Sequence, residues 1–257
     1  MLTIFSIPKS FRGHIETIQR NAIRSWTLLR PRPEVILFGD DEGTAPVARE
    51  LCLRHVRQVA CNEYGTPLVS DVFKGAMDAA GDGILAYVNA DIVLTSDFVE
   101  AVHRVHQQLK SFLIVGQRWD LDVREPLHFT GDWEEDLRGR IGTEGQLHPP
   151  TGMDYFVFTR GIWGDIPPFA VGRTVWDNWL VYGARVRDVP VIDATQSITC
   201  IHQNHDYSHI PNGTGAWEGP EARANLALAR GWDHVFTVED ANWILTPEGL
   251  KIGRAHV

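Results

Sequence analysis

The chain has 257 residues, 44% of them hydrophobic and 22% charged, enough for one large domain or two small ones with a substantial core. Its net charge of -9, from 33 acidic and 24 basic residues, argues against general nucleic-acid binding through a basic face. No stretch approaches the roughly 20 apolar residues that span a bilayer, and "MLTIFSIPKSF" lacks the long apolar core of a secretory leader, so a cytoplasmic location is expected.

In chain order, "LTIFSIP" (2–8) reads as a strand ended by Pro8, and "HIETIQRNAIRSWTLL" (14–29) spaces its apolar residues for a helix. "EVILFGDD" (34–41) is a buried strand closed by Gly39 and two aspartates, "APVARELCLRHV" (45–56) a helix and "RQVACN" (57–62) a short strand. A helix over 68–80, a buried strand "ILAYVN" (84–89), a helix over 96–110 and a strand "FLIVGQRW" (112–119) follow. Strands and helices alternating at this spacing predict an α/β fold with a mostly parallel, doubly wound central sheet and helices on both faces.

Residues 120–150 lack periodicity and read as an irregular, lid-like insertion. "DYFVFTR" (154–160) is strand-like, "TVWDNWLVYGARV" (174–186) helical and "VPVIDATQSITCIHQ" (189–203) again strand-like. "KIGRAHV" at the C-terminus carries no pattern and reads as a tail. No repeat or clear linker divides the chain, so a single domain is expected. Cys52, Cys61 and Cys200 cannot all pair and lack metal-finger spacing, which favours reduced structural thiols. Nine tryptophans serve either the core or sugar stacking, with the core favoured.

In an open parallel sheet, ligands bind outside the carboxyl ends of the strands. Ser6, Asp40, Asp41, Asn62, Asn89 and Asp91 end the predicted strands and are expected to converge there, although Asp and Asn also end strands simply as turn formers. Asn89-Ala90-Asp91 stands out because it interrupts an apolar run with no glycine or proline to force a turn. Oxygen-bearing side chains at that spacing suit a hard cation such as Mg²⁺ or Mn²⁺, which also binds diphosphate oxygens. His202, His205 and His209 follow at spacings of three and four. On a helix they would suit one zinc ion, but Pro211, Asn212 and Gly213 disfavour a helix here.

"YVNADIVL" resembles the Asp-x-Asp motif of the GT-A type nucleotide-sugar glycosyltransferases, with Asn89 standing where the first aspartate is usual. The resemblance implies a GT-A, Rossmann-like sandwich over 1–257, with a nucleotide-binding half (about 1–115) and an acceptor-side half (116–257). It implies Asp91 as ligand to a divalent metal, Mn²⁺ or Mg²⁺, with His202 the best further ligand and His205 second. Ser6, Asp40, Asp71 and Asn89 would line the nucleotide site, with Lys74 a weaker candidate. Arg173 would neutralise the departing diphosphate. Asp177 would be the base of an inverting transfer, flanked by Trp176 or Trp179 as a sugar platform, with Asp154 its rival carboxylate. Tyr207 and His209 would reach a phosphate. The implied partners are a nucleotide-diphosphate sugar, UDP-linked, and a carbohydrate or other hydroxyl-bearing acceptor. Three alternatives stay open: a carbohydrate-binding or degenerate GT-A domain, a sugar-1-phosphate nucleotidyltransferase, and a metal hydrolase built on the histidines.

Overall fold

The structure is a computed structural model that describes residues 1–81, 83–205 and 215–253. Tyr207, His209 and the end of the "KIGRAHV" segment lie outside the described residues. The first half runs β1 (Leu2–Ser6), α1 (Gly13–Leu28), β2 (Glu34–Phe38), α2 (Thr44–Glu50), β3 (Arg54–Val56) and α3 (Val69–Ala79). It continues with β4 (Ile84–Val88), β5 (Ile92–Leu94), α4 (Asp97–His106), β6 (Leu113–Val115) and β7 (Trp119–Leu121). Then come α5 (Trp133–Glu144), β8 (Gln146–Leu147), β9 (Tyr155–Phe158), α6 (Trp176–Arg185), β10 (Val191–Asp193) and β11 (Cys200–Gln203). The C-terminal part holds α7 (Gly215–Glu218), α8 (Pro220–Leu228), β12 (Trp243–Thr246) and β13 (Gly249–Ile252).

Nine strands form one sheet in the order β13-β12-β10-β6-β9-β4-β1-β2-β3. Pairing is parallel from β3 through β2 and β1 to β4, and from β6 through β10 to β12. Among the described residues of this sheet, only β9 and β13 run against their neighbours. Strands β4 and β6 both oppose β9, so they point the same way, and their carboxyl ends share one edge of the sheet with those of β1 and β2. A second sheet, β5-β11-β7-β8, stands beyond that edge.

Alternation along the strands builds two cores, one on each face of the large sheet. Ile4, Ala86 and Val88 face α1, α2 and α4 through Trp26, Val47 and Phe98. Phe5, Leu85 and Tyr87 face α3 and α6 through Phe73 and Leu180. A third, smaller cluster of Val93, Leu121, Leu137, Ile141 and Ile201 packs α5 against the second sheet. Among the described residues, no helix is long and apolar enough to cross a membrane.

Several local expectations are corrected. Strand β3 lies at 54–56, and residues 57–62 form a loop. The expected strand at 112–119 divides between the two sheets, and so does the one at 189–203. The segment 120–150 is no irregular insertion: it contributes β7, β8 and α5, whose Leu137 and Ile141 supply an apolar stripe too short to register as a periodic pattern. Lys251 and Ile252 of the supposed tail belong to β13. Cys200 is a buried thiol, whereas Cys52 and Cys61 are exposed.

Candidate metal and nucleotide site

The triplet Asn89-Ala90-Asp91 is the link along which the chain leaves the large sheet at β4 and enters the small one at β5. The Asn89 carbonyl accepts from the Ile92 N–H at 3.1 Å to close this turn. Strand β11 pairs antiparallel with β5 and parallel with β7, placing His202 opposite Ile92 on one side and Asp120 on the other. The ring nitrogens of His202 and His205 and a carboxylate oxygen of Asp91 therefore come within 4.8 Å of one another. His205 Nε2 lies 3.1 Å and His202 Nε2 4.0 Å from Asp91 Oδ2. Asp91 Oδ1 is buried and has no partner among the described residues.

This donor set fits a divalent cation. A buried, unmatched carboxylate oxygen is costly unless a ligand meets it, and one carboxylate with two imidazoles is a set that first-row metals accept. Burial by itself pushes the Asp91 carboxyl up. The hydrogen bond with His205 and the positive charges of His202 and Lys9 outweigh it, holding the group below the usual carboxylate range.

Beside the cluster lies a ladder of charged pairs. Asn89 faces Asp154 because β4 and β9 pair antiparallel with Val88 opposite Tyr155. The Asn89 amide donates to Asp154 Oδ1 at 2.5 Å, and Arg118 Nη1 donates to Asp154 Oδ2 at 2.6 Å. Arg118 Nε also donates to Asp120 Oδ1 at 2.9 Å. Asp154 is 5% exposed, so both of its oxygens are spent inside the protein. Asp177 sits half-buried in the first turn of α6, and burial, reinforced by the charge of Asp154, pushes its carboxyl up to about 7.

The sequence matches no protein-family model, and no curated protein sequence matches it. Solved structures do share the fold. The glucosyl-3-phosphoglycerate synthase of Mycobacterium tuberculosis, in complex with Mn²⁺, UDP and glucosyl-3-phosphoglycerate, gives a TM-score of 0.53 at 14% identity, over 91% of this chain and 80% of that one. The same enzyme with Mn²⁺, UDP and phosphoglyceric acid gives 0.52 at 16% identity, over 89% and 76%. A further mycobacterial protein gives 0.54 at 16% identity, over 91% and 74%. The fold is that of the GT-A glycosyltransferases.

On this GT-A scaffold the remaining sequence-derived candidates divide. Ser6, ending β1, is fully buried with its Oγ lacking a partner among the described residues. Asp40 is exposed and paired with Arg57 at 2.8 Å. It borders a cleft of about 570 Å³ that Gln58, Cys61 and Asp71 also line. Asp71 accepts the Ala60 N–H at 2.7 Å and thereby fixes that loop. Lys74 is exposed on α3.

Arg173 holds Glu221 through contacts of 2.9 and 2.7 Å, and its positive charge also acts on Lys9. Asn62 likewise caps its own loop at Tyr64 and Thr66 and donates to Glu221. Trp176 and Trp179 are 6% and 9% exposed and pack in the core against Phe156 and Phe169, so the expected sugar platform is corrected to a packing role.

Four residues at the site were not singled out in the sequence. Lys9, just after β1, is exposed by area, yet crowding around its ammonium lowers its pKa while Asp91 draws it back up. Arg118 and Asp120 join the cluster from just before and within β7, and His148 from the segment between β8 and β9. For Arg118 and Asp120, the polar "RWD" (118–120) at and just past the end of the 112–119 run was the available signal, of the same kind that drew attention to Asp40 and Asn89.

Proposed function

We propose that the chain is a metal-dependent glycosyltransferase that moves a sugar from a nucleotide-diphosphate donor, UDP-linked, to a hydroxyl-bearing acceptor such as a carbohydrate. The observation that carries this reading is the Asp91–His202–His205 cluster, with one unmatched buried carboxylate oxygen, at the ligand-binding edge of a GT-A sheet. The UDP and Mn²⁺ bound by the structural neighbour support the choice of donor and ion.

Asp91, His202 and His205 would hold the cation, and two imidazoles favour Mn²⁺ over Mg²⁺. When bound, the ion supplies Lewis-acid stabilisation of the charge gathering on the leaving diphosphate. Ser6, Asp40 and Asp71 flank the path of the nucleotide, and Lys9 adds positive charge beside Asp91, with Arg173, paired to Glu221, close enough for its charge to act on Lys9. Asp177 takes the acceptor hydroxyl proton. A carboxyl poised near 7 is half ionised at neutral pH and a stronger base than an ordinary aspartate. Asp154, with both oxygens engaged, keeps Arg118 and Asn89 in register.

Calorimetric titration of UDP and of GDP, with and without Mn²⁺, tests the reading on wild type and Asp91→Ala. Mn²⁺-dependent binding of UDP that Asp91→Ala abolishes is expected. Metal-independent binding that survives the substitution would remove the role given to Asp91. Sugar binding with no nucleotide affinity would replace the transferase with a carbohydrate-binding domain.

A further inference from the structure

Asp120 stands behind the cluster with a set of contacts that its place in a short strand does not require. Its Oδ1 lies 2.9 Å from Arg118 Nε and 3.1 Å from His202 Nδ1, and its Oδ2 lies 2.7 Å from His148 Nδ1. The parallel register of β7 and β11 makes Asp120 and His202 direct partners, so this contact follows from the strand pairing itself. His202 is 7% exposed, and its packed ring is not free to turn outward.

A neutral imidazole whose Nδ1–H donates to a carboxylate presents Nε2 as a bare lone pair, the form that ligates a metal. His202 Nε2 is the nitrogen that faces Asp91. We infer that Asp120 is a positioning residue for cation binding: by accepting the His202 Nδ1–H it fixes the tautomer and direction of that ring, while Arg118 holds the carboxylate in place. Arg118 also donates to Asp154, so one guanidinium joins the cation side of the site to the Asn89–Asp154 pair. The inference rests on the reading of Asp91, His202 and His205 as a cation site.

The test titrates Mn²⁺ alone into the full chain, following the electron paramagnetic resonance signal of free Mn²⁺, for wild type, Asp91→Ala, Asp120→Ala and Asp120→Asn. Asp91→Ala is expected to abolish binding and Asp120→Ala to weaken it roughly 10- to 100-fold. Asp120→Asn keeps a carbonyl oxygen that accepts the same hydrogen and is expected to recover most of the loss. Nitrogen-15 spectra of the metal-free wild type at alkaline pH should show His202 protonated on Nδ1, a reading that needs no variant to fold.

Wild-type affinity in Asp120→Ala, with binding still lost in Asp91→Ala, overturns the positioning role and leaves the cation site standing. Equal losses in the Asn and Ala variants, or an Nε2–H ring in wild type, also overturn it. Failure of the wild type to bind Mn²⁺ overturns the cation site as well.

Discussion

At position 89 an amide does what a carboxylate would not. Asp154 Oδ1 accepts from the Asn89 amide at 2.5 Å, so an aspartate at 89 would set two carboxylates against each other in a buried place. The departure from the usual Asp-x-Asp pattern thus has a local physical reason, and Asp91 is left as the acidic member facing the histidines. Asp177 is the residue whose protonation should be visible from outside. Its folded-state pKa of about 7 lies above the ordinary 3.8, so the folded chain binds the extra proton. The resulting stability is complete below pH 4 and lost as pH rises through 7. Asp177→Asn should remove this dependence. Thermal melts from pH 4 to 8 should show wild type losing on the order of 3 kcal/mol relative to the variant. If Asp177 is also the base, transfer by wild type should rise over the same interval as the carboxylate forms.

Among the elements, α3 shows how a helix is fitted to its strand. Gly75 sits mid-helix, where glycine costs about 1 kcal/mol relative to alanine. A Cβ there would lie 2.8 Å from the Phe38 ring at the end of β2. Phe38 is itself held edge-on by Phe5, with ring centroids 6.2 Å apart. The close approach lets α3 lie low on the sheet, so that Asp71 in its first turn reaches the Ala60 N–H and shapes the loop beside the cleft. Gly75→Leu is expected to destabilise the chain by about 2–3 kcal/mol in urea unfolding. Gly75→Ala should cost much less, because its helix-propensity gain offsets part of the crowding. Equal effects of the two would mean that Phe38 does not set the spacing.

Over the whole molecule, helix α8 is tied back to the loop before α3 and the segment before α6 by one acid. Glu221 of α8 accepts from Arg173, ahead of α6, and from Asn62, in the loop before α3. It is 8% exposed, and Asn225 of the same helix adds hydrogen bonds to both Ala170 N–H and Ala170 O. Removing one partner from a largely buried pair strands the other charge. Glu221→Ala should therefore cost ~2–3 kcal/mol, and Arg173→Ala on top of it should cost little more. A double-mutant cycle with additive losses would show that the two groups are not coupled.

The sequence by itself determined what local periodicity and strand-end chemistry carry. It specified the α/β alternation of the first hundred residues, the buried strands ending in Ser6, Asp40 and Asn89, and the helix opening at Trp176, while His202 and His205 were joined to Asp91 only by the family resemblance. It read poorly wherever a strand is only three or four residues long and serves a second sheet, as at β5, β7 and β11, because so short a run has no period to detect. Only the tertiary structure decided which polar groups meet. Strand register brought Asp154 to Asn89 and Asp120 to His202 across 65 and 82 positions of chain. Burial enclosed Trp176 and Trp179 in the core, and a helix from the C-terminal part occupied Arg173. Local patterns record which face of its own element a residue takes. The partner on that face comes from another part of the chain, and it decides whether a charge is spent on structure or left for a ligand.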